Sequence, residues 1–552
     1  MNSAVAKPPS RQAAKGLLLG RPLPGVTALA AAARATLGKP VDAASLAMFR
    51  GLIGAVMCAS TARFVAKGWV RALYVDPSFH FTYAPFRFVR PWPLLGMYAH
   101  FAVLFASAAS LALGYRARLS ALVFMLAFTY VELIDKASYL NHYYLVTLLT
   151  GMLVLLPSSA ALSIDARRRP AAIDTRRPAP SSRTLSASPP PDADRVAIPY
   201  WMLDALRLQV GVVYFYAGVA KLNRDWLVEA QPLRIWLAAR SDFPWVGPVL
   251  AEPGVAHVLG WTAAAFDLSV VGLLLYRRTR PWAFAVACCF HLMTGLLFPI
   301  GMFPWIMIAS ATVFFEPDWP VRLGRAVKTV MYAMTGSGRA RPTSPSGLGT
   351  DERPTRAPRG EATPNGGAAE QRVVTAPPWI KAIVAVHSLI QLVLPLRQQF
   401  ERVPSAWSNR GFDFSWNVMA AEKAGSVSFL AADRATGEVV AVAPLRYLTP
   451  SQEQAMARDP EMVRALALEV ARNFREKEGR SMAVRAEAFA TLNGRPSRYL
   501  LDPNVDLTGP LPPSWILPLD VEGPCEAIGR FQKSSAPRKR WQDGRSSFAG
   551  DP

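Results

Sequence analysis

Apolar stretches of membrane-spanning length recur through the first four hundred residues, and few folds can accommodate them. A helix needs about 20 mainly apolar residues to cross a bilayer. Nine candidate spans meet or approach that length, near 45–65, 93–113, 118–135, 140–158, 200–222, 256–276, 282–299, 300–316 and 378–396. The third, seventh and eighth are short or interrupted, so 300–316 is open to a re-entrant reading as well as a crossing. In lipid every backbone polar group needs an internal partner, which favours a helical bundle.

Charge between the runs sets an expected orientation. The chain carries a formal +22. Its basic residues cluster in short connecting segments and not on a recognisable nucleic-acid-binding module, so nucleic acid is not expected as a partner. Arg11, Lys15, Arg21, Arg34 and Lys39 precede the first span. With the N-terminus cytoplasmic, Arg116 and Arg118, the run Arg167–Arg183, the group Arg277, Arg278 and Arg280, and the stretch Arg322–Arg359 all fall inside. That agrees with the excess of Lys and Arg in cytoplasmic loops. The segment beyond the ninth span then lies outside. No cleavable signal peptide is expected from residues 1–44.

The expected domains follow. Residues 1–44 form a basic N-terminal segment and 45–320 a membrane bundle, interrupted by a Pro-, Ser- and Arg-rich linker at 165–198. A second linker covers 321–377, most biased in composition over 335–376, and both linkers read as disordered. The last span at 378–396 leads to a small extramembrane domain at 397–520, and 521–552 reads as a disordered tail. Within that small domain, Val427–Val442 reads as two strands joined at Asp433–Gly437, and 482–490 as a third strand. Asn493–Gly494 is a hairpin signal. Thr449–Gly479 reads as one helix, opened by Thr449 and Gln452 at capping-box spacing with Pro450 in the first turn. The fold class expected is an integral membrane α-helical bundle of about eight to nine spans followed by a small α+β, β-rich domain.

Ionisable and polar residues in spans are costly, and each is a functional hypothesis. Lys221 ends the run Tyr214–Leu222 at the outer end of the fifth span. Position alone favours a lysine snorkelling to the interface. The functional alternative is an amine in an apolar pocket, where desolvation leaves it neutral and able to act as a base. Asn141 and His142 open the fourth span on the same outer side, and His291 lies in the seventh. Ordinary interfacial or helix–helix hydrogen bonds would explain both histidines. A His142–His291 metal or haem pair has no HxxxH or HExxH spacing behind it, so no metal is expected. The four cysteines, Cys58, Cys288, Cys289 and Cys525, contain no CxxC pair and imply no disulfide framework. Phosphate-loop, GxSxG and zinc motifs are missing from the sequence.

Several blocks together resemble the vitamin K-dependent γ-glutamyl carboxylase family. Tyr216-Ala217-Gly218-Val219-Ala220-Lys221-Leu222 with Asp225-Trp226 is similar to the segment around that family's active-site lysine. Asp135-Lys136 through Asn141-His142-Tyr143-Tyr144-Leu145 is similar to its Asp-Lys…Asn-His segment. His291-Leu292-Met293 and Leu297 to Phe303 resemble a third block, continuing to Pro317-Asp318-Trp319-Pro320. Trp407 and Gly411 to Met419 resemble the glutamate-substrate segment, and Asp502 to Asp506 also matches. The blocks occur in the family's order from about Met48 to Asp506.

The resemblance implies a lyase that couples O2-driven epoxidation of a vitamin K hydroquinone to carboxylation of protein glutamate by CO2. It implies Lys221, His142 and Asn141 as catalytic residues and His291, Tyr216 and Met302 around the quinol. Trp407, Ser415, Trp416 and Met419 would hold the glutamate-bearing peptide. Two departures stand out. Ala420 and Ala421 occupy the place of a histidine found in vertebrate members, and the vertebrate disulfide between membrane part and C-terminal domain has no counterpart here. The Arg-rich linkers and compact C-terminal domain point to a bacterial-type homologue with the horizontally transferred transmembrane domain, placed in the inner membrane and using vitamin K hydroquinone or menaquinol. Two alternatives stay open at this point: a homologue that oxidises a quinol but acts on another substrate, and a membrane binding protein without catalysis.

Overall fold

The computed structural model describes residues 31–32, 34–168, 195–334 and 372–519. Among them are seven helices long and apolar enough to cross a membrane and two shorter apolar ones. In chain order the membrane helices are α1 (Ala44–Ala66), α2 (Leu94–Leu113), α3 (Ala117–Ile134), α4 (Asn141–Leu155), α5 (Trp201–Val219), α6 (Pro253–Leu275), α7 (Arg280–Leu297), α8 (Phe303–Ala311) and α9 (Pro378–Val393). A 3-10 turn extends α8 to Phe314, and another extends α9 to Phe400. Leu46, Phe49, Phe124, Leu149, Leu206 and Met307 lie in one continuous buried core.

Two buried arginines bridge helices by donating to backbone carbonyls of other segments. Arg50 of α1 donates to Leu111 O at 2.8 Å and Leu162 O at 2.7 Å. Arg207 of α5 donates to Val313 O at 2.9 Å. Each therefore ties one helix to the end of another.

A small sheet fixes the sidedness of the bundle. β1 (Pro40–Asp42) pairs antiparallel with β2 (Val196–Pro199), which pairs in parallel with β3 (Arg372–Val373). These strands precede α1, α5 and α9. Pairing puts them at one end of the bundle, so the chain must cross an even number of times between successive strands. Four helices separate each pair. The re-entrant reading of 300–316 is thereby set aside. The segment runs from Phe303, beside His142, to Pro317, whose carbonyl accepts from Ser45 N at 3.1 Å at the opposite end. β2 also corrects the expectation of disorder across 165–198. Residues 196–199 are ordered because they gain a strand partner on each side. The expectation of disorder over 321–377 is corrected too: a helix spans Trp319–Met334, with Pro320 in its first turn, and β3 lies at 372–373. Most of 335–376 and the tail beyond 520 lie outside the described residues, as does Cys525.

The C-terminal domain sits at the other end. Its antiparallel sheet runs β5-β4-β6-β7, with β4 (Lys423–Asp433), β5 (Val439–Val442), β6 (Met482–Leu492) and β7 (Arg498–Tyr499). β6 alternates buried and half-buried residues along its whole length, which gives the sheet one face for its core. The β6–β7 turn holds Asn493 at φ 52° and Gly494 at φ 78°, as the sequence pair demands. The single helix expected over 449–479 is two, α10 (Pro450–Met456) and α11 (Pro460–Glu478). Pro460 has no N–H to continue the first helix. Asp459 instead caps the second, its side chain accepting from Glu461 N at 2.9 Å. The Thr449–Gln452 capping box is present.

Candidate active site

Lys221 lies just beyond the C-terminus of α5. Its side chain turns back to the last helical turn, where Nζ donates to Ala217 O at 3.0 Å. It donates further to Asp267 Oδ2 at 2.9 Å and to Val418 O at 3.1 Å. Trp226 covers it, with Nζ 5.2 Å from the ring centroid. At 4 % exposure the side chain does not snorkel to water. Three acceptors match the three N–H bonds of an ammonium group. Position alone favoured snorkelling, and burial instead matches the functional alternative of an amine in an apolar pocket. The structure adds a carboxylate partner on α6, Asp267. The signal was present, since Asp267 is an acidic residue inside a predicted span.

Gly218 makes that pairing possible. A Cβ there would lie 2.7 Å from Leu268 Cγ and 3.1 Å from the Leu268 backbone N. The absence of a side chain lets α5 approach α6 closely, one turn from Lys221 and one residue from Asp267.

Lys221, Asp267 and Met419 line a pocket between the bundle and the C-terminal domain. Its walls are mainly apolar, including Leu259, Phe290, Leu297 and Phe298. His291 and Tyr214 also line it, and the His291 Nε2 and the Tyr214 hydroxyl are hydrogen-bonded at 2.7 Å. His291 is 1 % exposed, and its Nδ1 has no protein partner among the described residues. An apolar pocket with a few convergent polar groups is the ordinary form of a small-molecule site. The chemistry of the lining suits an aromatic diol: apolar walls suit its rings, and the unpaired Nδ1 suits a hydroxyl.

Asn141 and His142 open α4 next to this site. Asn141 Nδ2 reaches Asn417 O at 3.5 Å, and its Oδ1 accepts from Tyr139 OH at 3.0 Å. Thus Asn141 and Lys221 contact the carbonyls of neighbouring residues, Asn417 and Val418, in the segment expected to bind glutamate. His142 does not line the cavity. Its ring lies 5.8 Å from that of Phe303, and the His291 ring lies 5.7 Å from the same Phe303 ring. No group of three or more His, Cys, Asp or Glu gathers as for a metal ion among the described residues.

Segment 409–419 is an unusual piece of backbone. Asn409, Phe414, Trp416 and Met419 all have positive φ, between 50° and 60°. Such conformations cost on the order of 1–3 kcal/mol each and persist only where surroundings enforce them. Phe414 N donates to Tyr139 OH at 2.8 Å, Ser415 Oγ to Gly411 O at 2.6 Å, and Asn417 Nδ2 to Gln398 Oε1 at 2.9 Å. Trp416 is fully buried and stacks on Tyr144 with centroids 5.0 Å apart. Of the expected peptide-binding residues, only Met419 reaches the cavity. Ser415 and Trp416 shape the segment from within. Trp407 stands apart in the core of the C-terminal domain, donating to Leu517 O at 2.8 Å. Tyr216 and Met302 also lie off the cavity. The Tyr216 hydroxyl donates to Leu392 O at 2.5 Å, on the opposite side of α5 from Tyr214.

The Asp135-Lys136 pair proves to be an anchor. Asp135 Oδ2 accepts from Gln452 Nε2 at 2.6 Å, and Lys136 Nζ donates to Asp459 Oδ2 at 2.6 Å. Burial works against the Lys136 charge, but Asp459 and Asp413 outweigh it and hold the ammonium above its usual range. Burial pushes the Asp413 carboxyl up, against the pull of Lys136. A second anchor joins Arg495 to Asp225 through two bonds of 2.6 Å. Both place the C-terminal domain over Lys221.

The membrane half matches the model of the HTTM domain family over residues 38–188 and 178–319, just over half of the chain. Residues 376–522 match the model described as the vitamin K-dependent gamma-carboxylase lumenal domain. No solved structure matches the chain.

Proposed function

The chain belongs to the vitamin K-dependent γ-glutamyl carboxylase family, and we propose that it couples O2-dependent epoxidation of a vitamin K hydroquinone, or menaquinol, to carboxylation of glutamate in a peptide. One observation carries this reading. Lys221 is buried on the wall of an apolar cavity while bonded to the segment that would present the peptide. One amine thus stands where a lipid-soluble reductant and a water-borne peptide meet.

When bound, the hydroquinone supplies with O2 the strong base that side chains lack for removing a γ-proton from glutamate. Lys221 receives a hydroxyl proton at Nζ within the water-poor cavity. His291, held by Tyr214, orients the second polar edge of the ligand through Nδ1. The apolar walls keep water from competing for reactive groups. Asn141 fixes the 417–418 backbone, and His142 supports Phe303 beside it. In this reading the C-terminal domain is extracytoplasmic, the N-terminus is cytoplasmic, and the membrane is a bacterial inner membrane. The basic segments at the β1–β2–β3 end favour that orientation.

A second reading is a quinol-oxidising homologue acting on another substrate. It is favoured by Ala420 and Ala421, which follow the cavity-lining Met419 and carry no titratable group. The test supplies purified protein with vitamin K hydroquinone, O2, labelled bicarbonate and a glutamate-rich peptide. Epoxide with label fixed in the peptide supports the first reading. Epoxide alone supports the second. No turnover, with Lys221→Ala equal to wild type, removes both.

A further inference from the structure

We propose that Asp267 is the proton acceptor for Lys221, so that the two side chains act as one base. The proposal rests on the function proposed above and assigns the step that function leaves open.

As found, Nζ is surrounded by Ala217 O, Asp267 Oδ2 and Val418 O. Each N–H of an ammonium has an acceptor, and such a group holds no lone pair for a further proton. Before Lys221 can act, one proton must leave. Two of the three acceptors are amide carbonyls, which are not bases at neutral pH. Asp267 Oδ2, at 2.9 Å, is the third. It is 6 % exposed, so bulk water does not offer an easy alternative route.

The step balances without a co-reactant. An N–H bond breaks at Nζ and an O–H bond forms at Oδ2, turning an ammonium–carboxylate pair into an amine and a carboxylic acid. No net charge moves. Two opposite charges disappear from a region where holding each costs several kcal/mol. The freed lone pair then takes a proton from a hydroxyl in the cavity. At the end Lys221 is again an ammonium, now beside the new oxyanion, and Asp267 carries the extra proton. Lys221 thereby supplies electrostatic stabilisation as well as transfer. Asp267 acts through Lys221 and is a positioning and proton-holding residue.

The test uses full-length protein in lipid nanodiscs and 2-methyl-1-naphthol, a bicyclic probe with one hydroxyl. Its ionisation is read by absorbance. Asp267 is read by the infrared band of a protonated carboxyl group, assigned by aspartate carbon labelling and by its loss in Asp267→Asn. The expected result is one protonated carboxyl per ionised probe, retained in Asp267→Glu. Ionised probe with no carboxyl band overturns the proposal and leaves Lys221 as the terminal base, with the proposed function standing. A probe that is not ionised at all, with the wild type behaving as Lys221→Met, overturns both.

Discussion

The Lys221 Nζ donates to the Val418 carbonyl at 3.1 Å, joining the end of a membrane helix to the strained segment of the C-terminal domain. The candidate base and the candidate peptide platform are therefore in direct contact. A change in the protonation or position of Lys221 is felt by Val418 without any intermediary. Under the proposed function, this contact gives coupling between oxidation in the cavity and chemistry on a peptide a short physical path.

Replacing Lys221 should remove that chemistry. Lys221→Ala and Lys221→Met are each expected to lower hydroquinone oxidation by about 10²–10⁴-fold, the usual contribution of a positioned acid–base group. Epoxide formation measured by chromatography checks this, and activity within a few-fold of wild type would exclude the amine as base.

Gly218 is expected to tolerate no branched side chain. In Gly218→Val the new atoms meet Leu268 on α6, so α5 must retreat and Lys221 move away from Asp267. A displacement of about 1 Å near reacting groups can cost on the order of 10²-fold. Activity should fall by that order while the protein remains inserted and monodisperse. Gly218→Ala should fall between the two.

The Asp225–Arg495 clamp should hold the C-terminal domain in place. Arg495→Ala leaves Asp225 beside Asn493 without its bidentate partner. Removing one member of a mostly buried pair costs on the order of 3 kcal/mol. Hydrogen exchange should speed up in residues 490–500 and in 411–419, with the centre of β4 and β6 unchanged. Unaltered exchange in 411–419 would show that this anchor does not control the segment.

Lys423 should make the C-terminal domain more stable in mild alkali. Its Nζ donates to the Arg458 carbonyl at 2.5 Å and to the Trp407 carbonyl. Burial pulls its pKa down to about 7, more than Asp459 raises it, and Arg458 adds a smaller push downward. An unfolded lysine stays protonated to about pH 10.4. Between these values the unfolded state holds more protons, so stability rises with pH across that window. The penalty is full below about pH 7 and is lost progressively towards about pH 10. From about pH 6.5 to 8.5 the gain is about 2 kcal/mol. Thermal unfolding of wild type against Lys423→Met checks it. A wild-type slope identical to that of the variant would refute the assignment.

Much of the architecture was legible in the sequence because membranes impose simple requirements. Apolar length placed the helices, and basic residues placed the segments before the first, fifth and ninth spans on one side; strands from those three segments form one sheet. Turn chemistry at Asn493–Gly494 and the Thr449–Gln452 box were read from local rules. The Asp459–Pro460 break was missed, although a proline inside a helical pattern is a local signal too.

The sequence by itself determined where the long apolar helices lie, that a sheet-containing C-terminal region follows them, and that Lys221, Asn141 and His291 merited attention. These follow from hydropathy, charge and block order, which are properties of neighbouring residues. Only the tertiary structure decided that Lys221 is buried against Asp267, that Met419 reaches the cavity while Trp407 and Tyr216 do not, and that Asp135 and Lys136 anchor a domain. Those facts depend on contacts between residues tens to hundreds of positions apart. They are set by how closely helices such as α5 and α6 can approach, which no local pattern encodes.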